Sequence, residues 1–436
     1  MESRINQAEP ILRQCLELAS QKGATTVVVM YKHDSNHSIF FENNQLKECD
    51  ECETEDYVVS LICNGHEGMV SGNIPEEMPK LVQTALDISE HGAVSHYDRL
   101  PPFTPVSRPI KLFSSSVSRL TNHRMLKDSR ELLDGMLAMS PKLICSTSAS
   151  TNYSEGLLLA TNGAHIMKRC SNWSLEGEFQ LTKGTDMFFA DGGRSGVRVN
   201  ELYSVPDILK TLEFAYRHGR KTVSLASGAY PILLSPAMVY KFLQPLVMGI
   251  NGRNVFKGTS PLKDKAGQQC FHPILTILDD PHRDYDPRSA DYDDVFLPTE
   301  RKYLVKDGVL TGFLYDYDTA AMAGVQTTHN GGCTPYTCLL TPGEESHKEM
   351  IKGMKRGIYL KGLLGMGQSN LINGDISANI SLGYLVENGK IVGRIKDAML
   401  SCNIFEVLKG EIRPSSDCSP CSQQPWLLLP SVSIKA

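Results

Sequence analysis

No apolar run in this chain approaches the ~20 residues that a membrane-crossing helix needs, so a soluble protein is expected, with the cytoplasm as its compartment. Nor is there a basic excess: 44 Lys and Arg stand against 49 Asp and Glu, a net charge of -5. Phosphate backbones are held by clustered cations, which makes nucleic acid an unexpected direct partner. No Walker-type phosphate loop occurs, and Gly365-x-Gly367 opens no strand-to-helix unit, so nucleotide binding has no support. A Gly-x-Ser-x-Gly elbow is also missing, which leaves a serine nucleophile without a nominee. The 12 cysteines are scattered through a large sequence and frame no small scaffold, which predicts reduced thiols.

At 436 residues the chain exceeds the roughly 250–300 at which single cores stop growing, so two domains are expected. At the N-terminus Ile5, Ala8, Ile11, Leu12, Cys15 and Leu16 recur at three and four, the spacing of an amphipathic helix and not of a signal peptide. Strand signals follow at Thr25 to Tyr31, Ser38 to Phe41 and Tyr57 to Cys63. Leu81, Val82, Ala85, Leu86 and Ile88 suggest a helix face. Three prolines between Leu100 and Arg108 mark a crossover or linker. Helices are expected over Arg119 to Met139 and Val205 to His218, with strands at Leu143 to Ser150, Gly156 to Thr161 and His165 to Cys170 between them. Beyond Gly228 the texture becomes strands and Gly-rich loops. The expectation is an α+β chain: an α/β sandwich-like domain over 1–225, and a largely antiparallel β domain over 226–436.

Several signals bear on metal chemistry. His66-Glu67 starts like a metalloprotease helix, but no histidine follows at four residues and Asn64-Gly65 marks a turn, so a surface loop is expected. Two Cys-x-x-Cys pairs, Cys49 with Cys52 and Cys418 with Cys421, could together hold zinc, yet they lie at opposite ends of the chain. The cluster His282, Asp284, Asp286, Asp291, Asp293 and Asp294 suits hard cations, but Pro281 and Pro287 break it and it reads as a solvated acidic loop.

The second half carries an ordered set of blocks. Asp293-Asp294 and Pro298-Thr299 precede Lys306-Asp307-Gly308-Val309-Leu310 and Gly312-Phe313-Leu314-Tyr315-Asp316. Then come the Gly-rich loop Thr327-Thr328-His329-Asn330-Gly331-Gly332, Gly374-Asp375 with Ser377, and Gly383-Tyr384 ahead of the turn Glu387-Asn388-Gly389-Lys390. In this order the blocks resemble the TldD/PmbA family of peptidase-related proteins, some of them labelled modulators of DNA gyrase. In that family's metal-bearing TldD branch, a helix carries His-Glu-x-x-x-His for zinc. Counted back from the shared Gly258-Thr259-Ser260, those positions fall here on Leu243, Gln244 and Met248. Leucine has no lone pair, a neutral amide takes no proton at pH 7, and a thioether prefers softer metals.

The resemblance is therefore to the metal-free PmbA, or TldE, branch. It implies no metal and no catalytic residue on this chain, and zinc on a TldD-like paralogous partner. The chain would supply scaffold and channel wall for the proteolysis of small extended peptides, with His329, Asn373, Gly374 and Asp375 as candidates for lining the channel. Cys421 falls where the metal-bearing branch has a further ligand, and is read as a relic or a packed thiol. Two alternatives stay open: a self-sufficient metallopeptidase with a different metal arrangement, and a structural homodimer without peptidase activity.

Overall fold

The computed structural model describes residues 2–436. Helix α1 (Glu2–Gln21) buries the stripe Ile5, Ala8, Leu12, Cys15 and Ala19, the three-and-four spacing turned inward. Next come β1 (Ala24–Glu42), β2 (Gln45–Cys63) and β3 (His66–Gly72), then α2 (Met78–Ser89). The proline-rich stretch leads to α3 (Asn122–Met139), followed by β4 (Ile144–Ala160), β5 (His165–Lys183), β6 (Asp186–Gly196) and α4 (Val205–Gly219).

β1 to β6 form one antiparallel sheet in the order β3-β2-β1-β4-β5-β6. Its strands are longer than the sequence pattern suggested. The polar run Lys32 to His37 continues β1 because β2 and β4 flank it on both sides, and ladder bonding satisfies the backbone whatever the side chains are. For the same reason β4 runs unbroken through two segments read as separate strands, and β5 continues beyond Cys170 to Lys183. His66-Glu67 likewise opens β3 opposite Cys63 and is not a loop. One face of this sheet packs under α1 and α2 in one apolar cluster and under α3 and α4 in another.

The second half begins with the short β7 (Thr222–Val223), β8 (Gly228–Leu234), α5 (Pro236–Ile250) and α6 (Gly252–Phe256). A small sheet unites β9 (Ile277–Asp279), β10 (Lys302–Lys306), β11 (Val309–Leu310) and β12 (Leu339–Leu340), with α7 (Tyr317–Ala323) between the last two. After α8 (His347–Gly353) come β13 (Arg356–Leu364), β14 (Asp375–Glu387), β15 (Lys390–Ile395), β16 (Met399–Asn403), α9 (Ile404–Val407), β17 (Arg413–Cys418) and β18 (Pro425–Lys435). The large sheet runs β13-β8-β18-β16-β14-β15-β7, and β13 also pairs with β14. That extra pairing closes five strands into a ring, a closure the sequence pattern did not reveal.

The sheets divide between residues 196 and 222, but the cores do not. One apolar cluster gathers Leu132, Phe179, Phe188 and Leu212 with Leu233, Tyr359, Tyr384 and Leu428. Among the described residues no helix is long and apolar enough to cross a membrane.

Candidate functional site

Helix α5 is the spine of the region where the family resemblance places its chemistry. Ser235 precedes it and Pro236 takes the first turn, where a missing N–H costs nothing. Pro245 lies inside the helix. Leu243 is 1% exposed within the core of the second half, Gln244 is exposed, and Met248 is half-buried. These three side chains supply no ligand set: the first is closed into hydrocarbon, and the others carry donors that zinc does not favour.

At the end of α5, Asn251 joins two segments. Its Oδ1 caps α6 by accepting from the N–H of Arg253 at 3.0 Å, and its Nδ2 donates to the carbonyls of Gly332 and Cys333 at 3.2 and 3.0 Å. Gly252 follows because a Cβ there would lie 2.5 Å from the Leu314 carbonyl and 2.3 Å from the Tyr315 ring. The Gly-rich loop is thus tied directly to the helix terminus.

The loop itself rests on a buried network absent from the sequence reading. Asn330, fully buried, donates to Asp279 Oδ2 at 2.9 Å and accepts from Lys302 Nζ at 2.9 Å. Asp279 also accepts from the Thr337 N–H at 2.8 Å. Burial raises the Asp279 carboxyl despite those bonds, and burial lowers the Lys302 amine despite the Asp279 charge. His329, with φ 57, donates through Nδ1 to the Pro298 carbonyl at 2.8 Å.

The acidic cluster is not a solvated loop. Asp293 is 6% exposed and accepts at Oδ1 from the N–H groups of Val295 and Leu297. Burial pushes its pKa up to about 6, against those two bonds. Asp291 accepts from the Ile110 N–H, Asp284 from the Lys111 N–H, and Asp286 holds Arg288. Carboxylates are drawn inward here because they terminate loop backbone and fasten the proline-rich crossover to the second half.

Two recesses flank the α5–α6 junction. One, about 460 Å³, lies where the first half meets the second and is lined by Glu67, His96, Arg253, Asp294, Asp316 and Asp318. Burial and the Asp318 charge raise Glu67, and His96 Nδ1 lies 3.0 Å from Asp318. The other, about 670 Å³, is lined by Asn373, Asn403, Gln269, Lys265, Lys409 and Phe405. Asn403 Nδ2 donates to the Asn373 carbonyl at 2.8 Å and to Asp375 Oδ1 at 2.9 Å. Gly374, at φ 87, fits because a Cβ would strike the Phe405 ring at 2.4 Å. The structure therefore brings Asn373, Gly374 and Asp375 together around Asn403, while His329 belongs to the Gly-rich loop and lines neither recess.

The cysteine pairs stay apart. Cys49 and Cys52 are exposed on β2, whereas Cys421 lines a groove with Glu176, Glu178, Asp191 and Arg194 beside β6. Among the described residues no group of three or more His, Cys, Asp or Glu side chains is placed to hold a metal ion.

Comparisons with known proteins add to this geometry. Residues 227–436 match the model of the PmbA/TldA metallopeptidase C-terminal domain. An uncharacterised protein of Methanocaldococcus jannaschii is 34% identical over 334 residues, covering 75% of this chain and 76% of the relative. The metalloprotease TldD homolog of Haemophilus influenzae is 28% identical over 61% of this chain, which spans 58% of that relative's length. The crystal structure of TldE from Thermococcus kodakarensis superposes with a TM-score of 0.86 at 16% identity, over 98% of this chain and 100% of that one. At that identity the likeness is one of fold.

Proposed function

Because the chain belongs to the PmbA/TldD metallopeptidase family, we propose that it is the metal-free subunit of a peptide-degrading assembly whose zinc is held by a metal-bearing, TldD-like paralogue. The observation that carries this reading is α5. Where the zinc-binding branch has His, Glu and His, this chain has Leu243 in the core, Gln244 in solvent and Met248 half-buried. Zinc does not fit these residues, and no catalytic step is assigned to them.

The role left to the chain is to bind the partner and to guide extended peptides. An unstructured substrate can add to an open strand edge, gaining main-chain hydrogen bonds without strict side-chain choice. β6 pairs with β5 alone, which leaves its other edge open, and the groove of about 600 Å³ that holds Cys421 lies across the neighbouring face of β1, β4, β5 and β6. The recess with Asn373 and Asn403 offers amide donors and acceptors of the kind that peptide backbones use. All twelve cysteines are free thiols, which suits a reducing cytoplasm.

Metal content tests the reading. The purified chain, after exposure to excess zinc and removal of the unbound ion, is expected to hold far less than one zinc per chain. About one zinc per chain, lost when residues of α5 are substituted, would contradict it.

A further inference from the structure

Along the helix-covered face of the six-stranded sheet, β1 presents Val27, Val29, Tyr31, His33, Ser35, His37, Ile39 and Phe41. The first three join the core beneath α1 and α2, and the last two join the core beneath α3 and α4. Between these cores lies a polar belt. Glu55, His33, Glu155 and Arg169 sit in one register row across four strands, and Glu53, Ser35 and Tyr153 sit in the next.

A cavity of about 380 Å³ opens over this belt, bounded on the far side by Phe113, Ser115 and Ser118. Glu155 is 6% exposed, yet neither of its carboxylate oxygens has a hydrogen-bond partner. Arg169 lies close, but its Nε is 3.6 Å from Oε2, beyond hydrogen-bond reach. His33 Nε2 stands 3.5 Å from Glu53 without a bond of good geometry, and the Tyr153 hydroxyl has Ser118 beside it but is likewise unbonded. Arg4 is taken up by Glu53 and Glu55. A buried carboxylate without hydrogen bonds is costly, and such groups in native proteins have partners.

We propose that this cavity binds a free α-amino acid with an apolar side chain. Its ammonium has three donors, and Glu155 Oε1, Glu155 Oε2 and Tyr153 Oη provide three acceptors. The guanidinium fork of Arg169 takes the ligand carboxylate. The dipole of the zwitterion then lies antiparallel to the Arg169–Glu155 pair, so the buried Glu155 carboxylate and the exposed Arg169 guanidinium each face an opposite charge. The ring of Phe113, 6.1 Å from that of Tyr153, offers the apolar wall. The volume falls within the range of small-molecule sites.

The test is calorimetric titration of the full chain with L-leucine, with isopentylamine and with 4-methylpentanoate. Leucine is expected to bind saturably at one site, and each half-ligand about tenfold more weakly or worse. Glu155→Gln and Arg169→Met should each weaken leucine by about tenfold or more, with circular dichroism reporting an intact fold. Ser118→Trp, which fills the cavity from the opposite wall, should abolish binding and keeps the test decisive if the Glu155 variant does not fold. No heat from any of the three probes would overturn the proposal, leaving the cavity to water. Unchanged leucine affinity in Glu155→Gln or Ser118→Trp, or an amine that binds as tightly as leucine, would overturn it as well.

Discussion

Asp293 illustrates how a residue can be visible in a sequence and misread there. A run of acids between prolines suggests solvent, but the side chain is consumed by the N–H groups of Val295 and Leu297, and its second oxygen is buried without a partner. No local pattern announces that inward turn, because the pairing is with backbone and leaves no signature in residue type. Its folded pKa of about 6 lies above the unfolded value near 3.9. The native state thus holds this proton more tightly, so the contribution to stability is present below about pH 4 and is lost as pH rises through about 6. Asp293→Asn keeps the acceptor and removes the charge. Its melting temperature relative to the parent should rise between about pH 4.5 and pH 7.5, with a gain on the order of 2 kcal/mol at the upper end. A difference that stays flat across that range would refute the assignment. At Leu243 the reverse holds: the absence of a metal-binding side chain could be read from residue type alone, whereas its 1% exposure could not.

At the scale of elements, turns were the most legible features. Asn43-Asn44, Asn64-Gly65, Asp307-Gly308 and Asn388-Gly389 all have positive φ at both positions, the geometry that hairpins with two-residue turns demand. Residue chemistry decides such turns locally, so the sequence is sufficient. Strand lengths were less legible, since β1, β4 and β5 continue through polar segments supported by neighbours distant in sequence. The closed ring of β13, β8, β18, β16 and β14 depends on pairings between residues more than a hundred positions apart and could not be read at all. The β14–β15 turn offers a direct check. Gly389 has φ 75, and an added Cβ would lie 2.5 Å from the Lys352 carbonyl. Gly389→Ala should therefore destabilise the fold by about 1–3 kcal/mol in denaturant titration. A loss within about 0.5 kcal/mol would show that the turn relaxes freely.

Considered whole, the molecule is two sets of sheets sharing a core, fastened by Arg394. That side chain is 5% exposed, binds Asp186 through Nη2 at 2.6 and 2.8 Å, donates to the Gly219 carbonyl and stacks on Phe188. β7 at Thr222 already belongs to the second set of sheets, and a core shared by the two halves leaves no trace in composition. The α+β character was legible in the helix and strand patterns of the first half and the strand-rich texture of the second, and the family in the ordered C-terminal blocks, because those blocks are turns and strands fixed by local chemistry. The polar belt beneath Phe113 was not, since His33, Glu155 and Arg169 meet only through strand register. The proposed role as a family scaffold whose zinc comes from a partner is tested most directly by cleavage of an unstructured peptide. Three samples are compared: the chain alone, a paralogue bearing His-Glu-x-x-x-His alone, and their mixture, each with and without a chelator. No turnover by this chain alone, a stable complex in the mixture and chelator-sensitive degradation there are the expected results. Robust, chelator-sensitive cleavage by this chain alone, free of contaminating protease, would contradict that role.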